Sequence, residues 1–170
     1  RAKVDYDVWK SSGIMVQDET PSLYVYEQTF EIESHRGIVK KTRQGIVTLV
    51  EIEVLGEGQI YPHEHTMPGP KADRLALMEH TEAAFGQIFS LFSDPEGKVA
   101  ALVEPQKADT PLFEFDDEEG VAHRFWRLSD ESTLSDIQSF FVDRDLFIAD
   151  GHHRYETAVT YRDNRFAKEG

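Results

Sequence analysis

Residues 145–166 read DLFIADGHHRYETAVTYRDNRF, and this stretch decides the fold. Its apolar opening, 145–149, is short and bounded by turn residues, which predicts a buried strand. Asp150 and Gly151 punctuate it, and a helix of about fifteen residues follows, with Tyr155, Val159, Arg162 and Phe166 on its inner face. A strand that feeds a helix through Asp-Gly leaves the first helical N–H groups unpaired and pointing outward. With the helix dipole they form an anion site, to which His153 and Arg154 add donors. Asp150 suits a hard cation such as magnesium, or a sugar hydroxyl. The same residues also describe an ordinary helix start, since Asp is a good cap and Gly turns the chain.

Upstream, residues 22–33 (SLYVYEQTFEIE) are rich in β-branched and aromatic side chains and predict a strand, followed by a turn at Ser34, His35, Arg36 and Gly37. The alternation in 45–55 (GIVTLVEIEVL) predicts a second, half-buried strand antiparallel to the first. The loop 61–70 (YPHEHTMPGP) holds three prolines and is expected to be irregular. A helix is expected over 71–92, with its apolar stripe interrupted at mid-helix by Thr81 and Glu82. Val8, Trp9, Ile14 and Met15 suggest the tail of a helix, and 99–103 a short strand. A hairpin of 112–115 and 121–128 is expected around an acidic turn, then a short helix over 133–141 capped by Asp130 or Ser132. The fold class that results is α+β, a mixed, mostly antiparallel sheet with helices packed on it. At 170 residues and 39% apolar, residues 1–170 are expected to form a single domain.

Charge narrows the partners. Eighteen Lys and Arg stand against 32 Asp and Glu, a net charge of -14, which disfavours nucleic acid and anionic membrane surfaces. No run approaches the roughly 18 apolar residues of a membrane span. The expected location is cytoplasmic. With no cysteine, disulfides, thiolate metal sites and cysteine nucleophiles are excluded. There is no Walker-type loop and no hydrolase triad context. The acidic run 116–119 lacks the spacing of an EF-hand and reads as a solvated turn.

The second chemical signal is Pro62-His63-Glu64-His65, followed by Lys71 and Arg74. In an extended loop His63 and His65 point to opposite sides, which places them poorly as a metal pair, and no third ligand is evident nearby. Glu64 is the better candidate as a base, and Lys71 and Arg74 at a helix start can meet phosphate oxygens. A proline-stiffened connection with solvated charges is the alternative. His35, His80 and His123 stand apart and are assigned no role.

Five blocks in order, LYVYEQTF, HEHTMPGPKADRLALMEHT, IFSLFSDP, HRFWRLSD and IADGHHRYETA, resemble the family known as domain of unknown function 1015. Its members are usually about twice this long, so the chain is expected to be a central piece. Two blocks also resemble the free serine kinases of the ParB/sulfiredoxin-like superfamily. Those enzymes carry a Pro-His-Glu glutamate proposed as base for the serine hydroxyl, and a strand leading into Asp-Gly-His-His-Arg that handles nucleotide phosphates. The resemblance implies a ParB/sulfiredoxin-like core and a phosphotransferase moving a phosphoryl group from ATP or ADP, with Mg2+, to a small hydroxyl compound such as L-serine. Glu64, Asp150 and His153 would then be catalytic, and Asp150 would hold the metal. Gly151, His152, His153, Arg154, Lys71 and Arg74 would bind the nucleotide. A nucleotide-binding module without chemistry is the alternative.

Overall fold

The computed structural model describes residues 1–35, 37–64 and 69–169, with only the backbone of 69, 70 and 169. Arg36, His65, Thr66, Met67, Pro68 and Gly170 lie outside the described residues. The chain forms two compact units. One comprises Arg1–Gln17, Glu51–Ser93 and Asp143–Gly170; the other comprises Asp18–Val50 and Asp94–Val142. The fold class is α+β, but the strands divide between two sheets rather than joining one.

In the second unit, β1 (Leu23–Ser34) and β2 (Gly37–Val47) make a long antiparallel hairpin. β5 (Phe113–Asp116) and β6 (Ala122–Leu128) complete a sheet ordered β2-β1-β6-β5. The first strand and the second hairpin match the sequence reading. The second strand does not: it spans 37–47, not 45–55. Gly37, at φ +103, lets the chain reverse immediately after Ser34 and pairs it with that residue, so pairing begins there. β2 is an edge strand, and its Lys40, Lys41 and Arg43 are outward charges that an edge tolerates, so alternation was no guide to it. Beyond 47 the chain leaves the sheet. Val25 and Trp126 lie opposite each other on one buried face, with Leu128 on that face too. The unit also buries Val99 and Val103 of α3 (Lys98–Val103) and Ile137 of α4 (Glu131–Phe141).

Residues 99–103 are therefore helical, not a strand. The Asp94 carboxylate accepts from the backbone N–H groups of Lys98 (2.8 Å) and Val99 (2.9 Å), which starts that helix. Asp130 caps α4 as expected, accepting from Thr133 N–H at 2.8 Å. In the acidic turn, Asp117 accepts from His123 Nε2–H at 2.9 Å, which leaves Nδ1 to accept the Tyr26 hydroxyl at 2.6 Å. That bond holds the Asp117 carboxyl below the usual carboxylate range.

The first unit is built on β7 (Leu146–Asp150), the centre of a sheet ordered β3-β7-β4. β3 (Ile60–Tyr61) runs parallel to it and β4 (Phe89–Leu91) antiparallel. Ile60, Ile148 and Tyr155 form the core, with Ile52, Leu55, Leu146 and Val159 packed around it. So Ile52 and Leu55, expected in a strand, pack half-buried on the core from a loop. That loop is satisfied by side chains: Tyr155 Oη donates to the Glu53 carbonyl (2.9 Å) and accepts from the Glu53 N–H (3.1 Å).

α2 (Gly69–Thr81) starts at the last proline of the loop and stops well short of residue 92. Glu82, at φ +54, cannot continue a right-handed helix, and Phe89 lies in β4 instead. α2 packs on α5 (His152–Glu169) and on α1 (Ala2–Ser11), which includes Val8 and Trp9 but not Ile14 or Met15. α5 buries Tyr155, whereas Phe166 is 68% exposed and not part of the inner face. Among the described residues, no helix is long and apolar enough to cross a membrane.

Candidate active site

The two chemical motifs meet because β3 and β7 are parallel neighbours, with Ile60 opposite Leu146 and Tyr61 opposite Phe147. Parallel strands end on the same side of a sheet, which is where α/β crevices bind ligands. Pro62, His63 and Glu64 leave β3 at that end, and Asp150 and Gly151 leave β7 at the same end.

Two hydrogen bonds and one close polar contact fix the junction. His63 Nδ1 lies 2.6 Å from the Ile148 carbonyl oxygen. A carbonyl only accepts, so Nδ1 carries the hydrogen and Nε2 keeps its lone pair. The backbone N–H of His63 donates to His152 Nε2 at 3.2 Å, which puts the proton of a neutral His152 ring on Nδ1. That Nδ1 faces Glu64 Oε1 at 3.1 Å, off the line of a hydrogen bond. The two imidazoles meet edge to face, with centroids 4.4 Å apart. His152 is 1% exposed, whereas the Glu64 side chain is 57% exposed. A buried ring thus backs a carboxylate that remains open to solvent.

At the turn itself, Gly151 has φ +95, a conformation strained for any residue with a Cβ. A Cβ there would also lie 3.0 Å from Arg154 Nε. Arg154 folds back over the turn, packs within van der Waals reach of Gly86, and ion-pairs with Asp150, whose carboxylate is exposed. The first N–H groups of α5 open beside this pair. His153 keeps a buried Nδ1 with no hydrogen-bond partner among the described residues.

The structure therefore brings together Glu64, Asp150, Gly151, His152, His153 and Arg154. His152 faces the Pro-His-Glu loop, buried, rather than solvent. Lys71 reaches α5 one turn beyond the junction, where it ion-pairs with Glu156. Arg74 is exposed on the next turn of α2. The residue sequence reasoning missed is His63. The sequence sets it beside His65, whereas its partner is His152 from the other motif, a pairing that only the parallel β3–β7 register reveals.

No curated protein and no solved structure matches the chain. The family model described as Protein of unknown function (DUF1015) matches residues 1–170, all of the chain. The chain belongs to the DUF1015 family.

Proposed function

We propose that this protein is a nucleotide-dependent phosphotransferase that acts on the hydroxyl of a small molecule, with free L-serine giving O-phosphoserine as the first substrate to try. One observation carries the reading: the Glu64 carboxylate, 57% exposed, lies 3.1 Å from His152 in the first turn of α5. A proton acceptor and a phosphate-binding helix start thereby share one edge of one sheet. The likeness of the two motifs to those of the free serine kinases supports it.

In this reading Glu64 accepts the hydroxyl proton as the acceptor oxygen attacks, the role a positioned carboxylate fills in phosphoryl transfer. The N–H groups at 152–154, His153 and Arg154 meet the phosphate oxygens. Asp150 would hold magnesium together with the nucleotide phosphates, and the ion would supply neutralisation of the developing charge. The Asp150–Arg154 ion pair then has a second use. Each partner is complementary to one half of a metal–phosphate ligand, so the pair opens toward that ligand without leaving either charge unpaired. The net charge of -14 disfavours nucleic acid and anionic membranes as partners, which accords with a small-molecule substrate.

The same ion pair suits a second reading, a module that holds a nucleotide without chemistry. Incubating full-length protein with serine, magnesium and ATP or ADP, then measuring phosphoserine by mass spectrometry, separates the two. The enzyme reading expects product from wild type and none from Glu64→Gln with nucleotide affinity nearly intact. Equal turnover in that variant rejects Glu64 as base, and nucleotide binding with no product from either protein favours the module.

A further inference from the structure

We infer that His63, Glu64 and His152 form a site for a borderline-soft divalent cation of the zinc type. Their ligand atoms all lie within 4.8 Å of one another. Two imidazoles and one carboxylate are the donor set of an open, three-ligand zinc site, and magnesium, which prefers oxygen, does not suit it.

His63 is already oriented for a cation, and His152 becomes so on a change of tautomer. His63 gives its Nδ1–H to the Ile148 carbonyl at 2.6 Å, so Nε2 presents a lone pair, the outer-shell arrangement that steers metal-binding histidines. His152 is 1% exposed, and its buried Nδ1 has no hydrogen-bond partner among the described residues. An uncompensated buried polar atom is costly, and a ligand is one way to satisfy it. Glu64 Oε1 sits 3.1 Å away in poor line for a hydrogen bond, close to the separation of about 3.4 Å that two ligands of one tetrahedral ion adopt. Binding at Nδ1 moves the ring proton to Nε2, which now meets the His63 N–H at 3.2 Å. A half-turn of the Pro62–His63 peptide exchanges that N–H for the Pro62 carbonyl and supplies the acceptor.

This inference does not rest on the phosphotransfer reading. A cation here occupies the carboxylate that reading uses as base, so zinc and turnover exclude each other. The test is a zinc titration of metal-stripped, full-length protein against a chromophoric chelator, with no nucleotide present. One zinc per chain is expected for wild type and for His80→Ala, an exposed histidine elsewhere on the unit. Affinity falls by more than about tenfold in His63→Ala and in Glu64→Gln. Both changes are at exposed side chains, so neither depends on the buried His152 tolerating substitution. Cobalt gives the intense visible bands of four-coordination in wild type and loses them in His63→Ala. Wild-type zinc affinity in both variants, loss only in His80→Ala, or a six-coordinate cobalt spectrum in wild type overturns the site.

Discussion

Replacing Gly151 with alanine probes the turn on which the site is built. Two costs add. A non-glycine residue at φ +95 carries backbone strain of about 1–3 kcal/mol. The new Cβ would also stand 3.0 Å from Arg154 Nε and 3.3 Å from Nη2, so the guanidinium must swing off the turn and release Asp150. Both side chains are partly exposed, so losing that ion pair adds no more than about 1 kcal/mol. A total near 2 kcal/mol corresponds to a fall of about 4–8 °C in Tm for a chain of this size. Gly56→Ala is the matched control, because Gly56 has φ +80 in the same unit with nothing within 4 Å of its added Cβ. Differential scanning calorimetry should show Gly151→Ala falling further than Gly56→Ala. Titration calorimetry should show weaker magnesium–nucleotide binding in the first variant alone. Equal Tm losses together with unchanged nucleotide affinity would refute the packing of Arg154 over the turn as a functional feature.

Three further predictions test the framework. Ile148→Ala removes a side chain 1% exposed at the centre of the first unit and should cost about 2–5 kcal/mol by urea denaturation, whereas Phe166→Ala, at 68% exposure, should stay within about 0.5 kcal/mol. Tyr155→Phe strips the Glu53 carbonyl and N–H of their side-chain partner, and a loss of about 1–3 kcal/mol on the same urea curves is expected. Asp130→Ala removes the cap of α4 and lowers Tm by a few degrees at neutral pH. The Thr133 N–H holds the Asp130 carboxyl below the usual carboxylate range, so its stabilisation is complete above the unfolded-state value and disappears as pH falls through the folded one. The gap between wild type and Asp130→Ala must therefore close in acid; a gap that widens contradicts the cap.

Local rules found the elements whose signals are local. The Asp130 cap, the hairpin around the 116–120 turn and the strand-to-helix passage at Gly151 each depend on a few adjacent residues. Failures came where tertiary context overrode pattern. Residues 52 and 55 belong to a stretch that alternates like a strand, yet they pack on the core from a loop, because Tyr155 supplies hydrogen bonds a neighbouring strand would otherwise provide. Residues 37–44 carry charges no buried strand would have, and an edge position accommodates them. The apolar run of 85–92 fits one helical stripe, but it follows Glu82 in a left-handed conformation and supplies β4. At the candidate site each motif was legible alone. Their meeting was not, since it follows from the parallel pairing of a two-residue strand, β3, too short to leave a periodic signal.

A crystal structure of the full-length protein with magnesium, ADP and serine tests the central claim most directly. The account predicts the phosphates on the N–H groups that open α5, Arg154 turned from Asp150 toward them, and the serine hydroxyl within hydrogen-bond reach of Glu64. Nucleotide bound away from residues 150–154, or a serine hydroxyl remote from Glu64, would contradict it.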